Sequence, residues 1–446
     1  MLNRKIGQEL ASFYEEKPKS AFLLTGARQV GKTFIIREHA HRYFRCFLEI
    51  NFIKQPDAKT LFIGLKDEED FFLRLSAFTD KELVRGETLV FFDEVQECPE
   101  VVTYIKFLVD DGRYRYALSG SLLGVELKNV RSAPVGYLRE YAMYPLDFEE
   151  FLWACGLKKD VLSHLRESWE KREPVDQVVH EKLLSYVRLY LVVGGMPAAV
   201  QKYLDTKNIS SVVKEQRAIL VEYRKDAAKY DQKDKLKIGR VLDLIPEELN
   251  KKNKRFVVAD LEENGRYERL EENFLWLKEA GIGLAVCSAA DPHVPLRLSR
   301  NSAFFKLYLN DVGLLASMYL DGIQLKVLSG ETDINFGGIY ENFVVQELYA
   351  HGFKPYFFNS RKIGEVDFLI EHESRVEPIE VKSGRHYKSH AALDNLMSNR
   401  DYGLDHAIVL SNSNCAREGA LDYFPIYFVM FLKQNPLPEK LIYELP

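Results

Sequence analysis

One segment near the start of the chain constrains its fold more than any other. Residues 21–24 are an apolar run. Gly26-Ala27-Arg28-Gln29-Val30-Gly31-Lys32-Thr33 follows and satisfies G-x-x-x-x-G-K-[ST] at every fixed position. Residues 33–41 are then amphipathic with a helical period. Strand, glycine-rich turn and helix is the order in which this spacing has physical meaning. The glycines let backbone N–H groups close around phosphate oxygens, and the helix N-terminus adds a positive end. Residues 26–33 are therefore expected to hold the phosphates of ATP. Lys32 is expected to reach the β- and γ-phosphates, and the Thr33 hydroxyl to ligate Mg2+.

The remainder of the first third fits a sheet behind that loop. Apolar runs at residues 46–50, 89–92, 114–118 and 140–144 alternate with amphipathic stretches such as 101–109. Buried runs separated by helices predict a parallel sheet with helices on both faces. The run at 89–92 ends in Asp93-Glu94, which puts carboxylates at the sheet's carboxyl edge, where ligands collect. Asp93 is expected to hold Mg2+ through water, and Glu94 to orient and deprotonate an attacking water. Ser119 ends the next strand and reads equally as a sensor of the γ-phosphate or as a turn serine capping a helix. Arg131 and Arg139 are available as arginines acting in trans, and spacing selects neither.

Beyond Glu150 the pattern turns helical, over residues 148–153, 161–169 and 177–191, and Gly194-Gly195-Met196-Pro197 breaks it. The charged stretch 225–237 reads as a solvated linker or helix face. Helical patterns at 238–249, 258–262 and 267–280, then strands at 284–288 and 295–298, follow the order of a winged helix. Arg266 and Arg269 would suit phosphate contacts, but the glutamates of the same helix favour domain packing. From Gly337 the order is a helix at 340–350, strands at 355–359, 365–371 and 377–382, a helix near 391–397 and a strand at 407–410.

Those last strands carry a second constellation. On a strand, residues i and i+2 share a face. If strands 365–371 and 377–382 pair as a hairpin, Asp367, Glu380 and Lys382 converge, with Glu341 supplied by the preceding helix. Glu341, Asp367 and Glu380 are oxygen ligands suited to Mg2+ or Mn2+. Such a metal would activate water against a phosphodiester, with Asp367, Glu380 and Lys382 as the catalytic set. Arg361, Lys362, Lys382, Arg385 and Lys388 form either a groove for a phosphodiester chain or an ordinary solvated face.

The segments FLLTGARQVGKT, LVFFDEVQ, LSGSLL, YPLDFEEFL and GGMPAAV occur in this order. Together they resemble a widespread class of prokaryotic AAA-superfamily ATPases whose C-terminal domain is similar to restriction-endonuclease-like nucleases. Asp367, Glu380 and Lys382 are similar to the PD-(D/E)xK pattern, although Val366 rather than proline precedes the aspartate. The resemblance spans nearly the whole chain. It implies an α/β fold: a P-loop NTPase sheet of AAA type with an added strand and a catalytic glutamate, a helical lid, a winged-helix segment and a nuclease-like α/β domain. The corresponding divisions are residues 1–155, 156–225, 226–330 and 331–446. The chain departs from the class at Tyr137-Leu138, after Gly136, where arginine is frequent.

Composition narrows the function classes. Hydrophobic residues make up 46%, enough for several cores, which excludes a disordered chain. A net charge of −5 excludes a uniformly basic nucleic-acid binder. Cys46, Cys98, Cys155, Cys287 and Cys415 are scattered without a CxxC pair, as expected in a reducing compartment. No apolar stretch approaches the ~20 residues of a membrane span, so a cytoplasmic location without membrane contact is expected. The expectation is an ATP-driven, Mg2+-dependent switch acting on nucleic acid, DNA before RNA, able to form homo-oligomers. The alternative is a scaffold ATPase whose C-terminal domain recruits a partner. A small-molecule kinase would leave the C-terminal third unexplained.

Overall fold

In a computed structural model, residues 2–16, 18–121, 136–230, 235–251, 254, 274–331, 337–435 and 442 are described. The chain divides into two compact units. The first comprises residues 1–146, 196–198 and 272–283, and the second the remainder.

The first unit is a five-stranded sheet of β1 (Ala21–Thr25), β2 (Cys46–Asn51), β3 (Thr88–Asp93), β4 (Arg115–Gly120) and β5 (Leu138–Ala142). The strand order is β2-β3-β4-β1-β5, and every pairing is parallel. Strand β3 is buried along its whole length, as the unbroken apolar run predicted. Helices α1 (Ile6–Glu15), α2 (Lys32–Tyr43), α3 (Glu68–Phe78) and α4 (Glu100–Asp111) belong to the same unit. A core of Phe52, Phe62, Phe71, Phe92, Ile105 and Tyr116 fills the side facing α3 and α4. The placement that matters for function is that of β4, between β1 and β3. It separates the loop after β1 from the acidic end of β3 by one strand, the added strand that the resemblance implied.

The second unit combines helices with an eight-stranded sheet. Its strands are β6 (Gly283–Ala289), β7 (Arg300–Leu309), β8 (Tyr356–Ser360), β9 (Gly364–His372), β10 (Arg375–Lys382), β11 (Ala407–Ser411), β12 (Ala416–Glu418) and β13 (Leu421–Pro425). The order is β12-β13-β11-β10-β9-β8-β6-β7. The hairpin of β9 and β10 forms as expected, with Phe368 opposite Ile379. Strands β12 and β13 were not foreseen. The apolar run of residues 424–431 falls in β13 and the 3-10 turns Ile426–Phe431 and is buried.

The expected wing is not present in that form. Residues 296–298 lie in the 3-10 turn Leu296–Ser299 that follows Pro295, because Pro292 and Pro295 cannot donate to a ladder. The second strand begins only at Arg300, and β6 pairs in parallel with β8. Both strands thus extend the C-terminal sheet. The helical patterns at 258–262 and 267–273, with Arg266 and Arg269, lie outside the described residues, as does Arg131.

Two segments quoted for the resemblance acquire structural reasons. Asp147 caps the helix Phe148–Ala154, accepting from the Glu150 amide at 2.9 Å, while Glu150 accepts from the Asp147 amide at 3.2 Å. After the helix Gln177–Val193, the Gly195 amide donates to Asp311. A Cβ on Gly194 would lie 2.2 Å from an Asp311 carboxylate oxygen, so no other residue fits there. The helix Gly337–Ala350 is buried on nearly all sides yet polar. Asn342 bridges the Leu309 backbone, Gln346 accepts from Val312, and Glu347 accepts from Phe148. These side chains tie the helix Gly337–Ala350 to neighbouring backbone through buried hydrogen bonds.

Candidate active site and a C-terminal charge cluster

Residues 26–33 turn tightly between β1 and α2. Gly26 has φ +137° and Gly31 has φ +103°, with Gln29 left-handed at +65°. A Cβ on Gly26 would stand 2.2 Å from the Met143 carbonyl oxygen, so the loop can pass there only as glycine. Lys32 folds back over the turn and donates to the carbonyls of Gly26 at 2.9 Å and Ala27 at 2.8 Å. Burial pushes its ammonium down to about 8, against the pull of Glu94 and Asp93. Arg4, which sequence reasoning missed, ties the loop from outside. It donates to the Val30 carbonyl at 2.9 Å and the Tyr144 carbonyl at 2.6 Å.

Asp93 is the centre of the opposite wall. It is buried and accepts from the Thr33 hydroxyl at 3.1 Å, the Asn51 amide at 2.8 Å, the Ser119 hydroxyl and the Glu94 backbone at 3.2 Å. Sequence-predicted Thr33, Asp93 and Ser119 are thus brought together, and Asn51, from the end of β2, joins them. Asn51 is itself fixed, because its carbonyl oxygen accepts from the Ile53 and Lys54 amides. An asparagine two residues before an apolar Ile53 reads only as a turn residue, so nothing local signals its role.

Glu94 sits just past the strand in a left-handed conformation, φ +58°, uncommon for a non-glycine residue. Its carboxylate accepts from the Gln96 side chain at 2.6 Å. Arg139 pairs with Glu16 at 2.9 Å on the exposed side of β5. A carboxylate braced by four donors, an ammonium over a glycine turn and a second carboxylate alongside can bind a triphosphate and its hydrated cation.

The C-terminal residues also converge. Asp367 accepts from the Val381 amide at 2.9 Å, and Glu380 pairs with Lys382 at 2.8 Å. Glu341 lies fully buried beside them and accepts from Tyr308 at 2.8 Å and from Lys254. Lys306 of β7 is completely buried, 2.8 Å from Glu365 and 3.8 Å from Glu341. Sequence reading did not anticipate either lysine. Burial raises Asp367 well above the usual carboxylate range, and Glu341 and Glu380 push it further. Burial also works against a charged Glu341, but the Lys254 and Lys306 ammoniums hold it below the ordinary value. Among the described residues, no group of three or more His, Cys, Asp or Glu side chains is arranged to hold a metal ion. Of the basic tract, Lys388 is paired with Glu418, while Lys382, Arg385 and His386 line an open groove of about 510 Å³.

Three family matches cover most of the chain. Residues 18–152 match an AAA domain, residues 184–326 a domain of unknown function (DUF8612), and residues 336–427 another domain of unknown function (DUF4143). The N-terminal part is therefore an AAA-type ATPase domain. Among solved structures, the chain is similar to the Walker-type ATPase PABY2304 of Pyrococcus abyssi, at 15% identity and TM-score 0.43, covering 72% of this chain and 96% of that one. It is also similar to Cdc6p of Pyrobaculum aerophilum, at 14% and 0.27, covering 74% and 95%. For the RuvB Holliday junction branch migration motor of Thermotoga maritima the values are 13% and 0.25, covering 51% and 75%. No curated protein matches the chain. No single described helix is long and apolar enough to cross a membrane.

Proposed function

We propose that this protein is an ATP-hydrolysing switch of AAA type whose second unit binds nucleic acid. The observation that carries it is the convergence of Thr33, Asn51, Asp93 and Ser119 at the carboxyl edge of the sheet, facing the loop of residues 26–33. In this reading the backbone of that loop and Lys32 bind the phosphates. Thr33 and Asp93 hold the hydrated Mg2+, which stabilises charge on the phosphates when bound. Glu94 takes the proton of the attacking water, and Ser119 registers the γ-phosphate through its bond to Asp93. Gln96 holds the Glu94 carboxylate in place before nucleotide arrives.

Nucleic acid, DNA before RNA, is the proposed partner, because Lys382 and Arg385 line an open groove of the second unit and Arg361 and Lys362 stand in the turn between β8 and β9 of the same sheet. Assembly into homo-oligomers belongs to the same proposal.

The test is nucleotide binding and hydrolysis by the full chain. Lys32→Ala is expected to lose ATP affinity. Glu94→Gln is expected to keep Mg-ATP binding while hydrolysis slows by about 100-fold or more. Unchanged affinity in Lys32→Ala would remove the ATP site. Hydrolysis unaffected by added DNA or RNA would turn the reading to a scaffold ATPase whose second unit recruits a protein.

A further inference from the structure

The C-terminal carboxylates have the residue types of a metal-dependent phosphodiesterase, but most of their oxygens are already engaged. Glu341 offers one oxygen to Lys254 and the other to Tyr308. Asp367 accepts from the Val381 amide, Glu380 forms an ion pair with Lys382, and Glu365 accepts from Asn359 at 3.1 Å and forms an ion pair with Lys306 at 2.8 Å. Glu380 Oε2 is buried without a hydrogen-bond partner. Together with Asp367 Oδ1, since Asp367 is bonded through Oδ2, this makes two oxygens outside those bonds, short of the several hard oxygen ligands that Mg2+ or Mn2+ requires. In charge, Glu341, Glu365, Asp367 and Glu380 face Lys254, Lys306 and Lys382.

Lys306 is the informative residue. It stands on β7 with Tyr308 on the same face, two residues apart, while Phe305, Leu307 and Leu309 bury the other face. A lysine with no exposed surface is costly unless paired, and its neighbours here are Glu365, Glu341 and the ring of Phe357 at 5.2 Å. Strand β7 is the outer strand beyond β6 and lies outside the helix–strand core that carries the acidic motif. The fold therefore delivers a fixed cation to the place where the acidic motif would otherwise gather a free one.

We propose that Lys306, assisted by Lys254, takes the charge-neutralising place of a divalent ion, so that the second unit is a metal-independent module that binds without cleaving. This inference rests on reading that unit as a binding module. Its test is separate from the ATPase test, because it is read without nucleotide.

The full chain carrying Asp93→Asn, which removes the N-terminal metal carboxylate, is titrated with Mn2+ and followed by the electron paramagnetic resonance of the free ion. The expected result is no retained Mn2+ tighter than ~1 mM. A tighter site that Glu380→Gln abolishes would overturn the proposal. In the same background, Lys306→Gln is expected to gain Mn2+ binding, or to melt at a lower temperature that millimolar Mn2+ restores. A folded Lys306→Gln that does neither, and melts with its parent, also overturns it. Should Lys306→Gln not fold, the Asp93→Asn titration alone decides, since a Glu380-dependent site is either found or not.

Discussion

Asn51→Ala isolates the brace behind Asp93. Asn51 donates to Asp93 Oδ2 at 2.8 Å and accepts from the amides of Ile53 and Lys54 at 3.1 and 2.9 Å. A hydrogen bond to a charged acceptor contributes about 1.5–3 kcal/mol and each neutral one about 1 kcal/mol. Water can replace part of this once the side chain is gone, so the N-terminal unit should lose about 2–3 kcal/mol. The functional loss should be more selective. Asp93 keeps Thr33, Ser119 and the Glu94 amide but loses its fixed orientation toward the cation. ATP affinity with Mg2+ present should fall about tenfold, equivalent to about 1.4 kcal/mol. ATP affinity in chelator should barely move, because the phosphate loop is untouched. Calorimetric titration of the full chain with ATP, in Mg2+ and in EDTA, measures both. Equal losses in the two conditions would show that Asn51 acts on the loop or on folding alone, and an unchanged Mg2+ value would refute the brace.

Gly26→Ala is expected to lower nucleotide affinity by more than ~10-fold and stability by about 1–3 kcal/mol, since its Cβ meets the Met143 carbonyl in a left-handed backbone. Gly239→Ala, with nothing within 4 Å in the helix Lys235–Asn250, should instead raise stability by about 0.5–1 kcal/mol, and thermal melts distinguish the two. A third prediction concerns pH. His406 is bonded to Asp422 at 2.8 Å and Glu377 at 2.6 Å, which raise it to about 9. A raised histidine stabilises the fold fully below its unfolded value near 6.5 and ceases to do so as pH climbs through about 9. The shift corresponds to at most about 3 kcal/mol. Glu377, held down to about 2 against burial by His372 and His406, reports partly the same interaction, so it is not added. Denaturation midpoints of the second unit should therefore fall between pH 6.5 and 9, and His406→Gln should flatten that slope; a parallel slope in the variant would contradict the assignment.

By itself, the sequence determined whatever depends on neighbours along the chain. The loop of residues 26–33 is contiguous, so its strand, glycine turn and helix were legible, as was the acidic end of β3. The two-residue period of β9 and β10 put Glu365 with Asp367 on one face and Glu380 with Lys382 on one face, while the convergence of Asp367 and Glu380 hung on the hairpin pairing. Tertiary structure decided which distant elements stand against those local features. Asn51 is 42 residues from Asp93, and Arg4 is 26 from Val30 and 140 from Tyr144. Strand β7 joined the C-terminal sheet, where Lys306 meets Glu341 and Glu365. Periodicity reports which side chains share a face, but not what the fold packs against that face. In Phe304-Phe305-Lys306-Leu307-Tyr308 a lysine reads as the solvent side of a strand. It is buried because the helix Gly337–Ala350 covers that face and brings Glu341 to meet it, an arrangement no local pattern encodes.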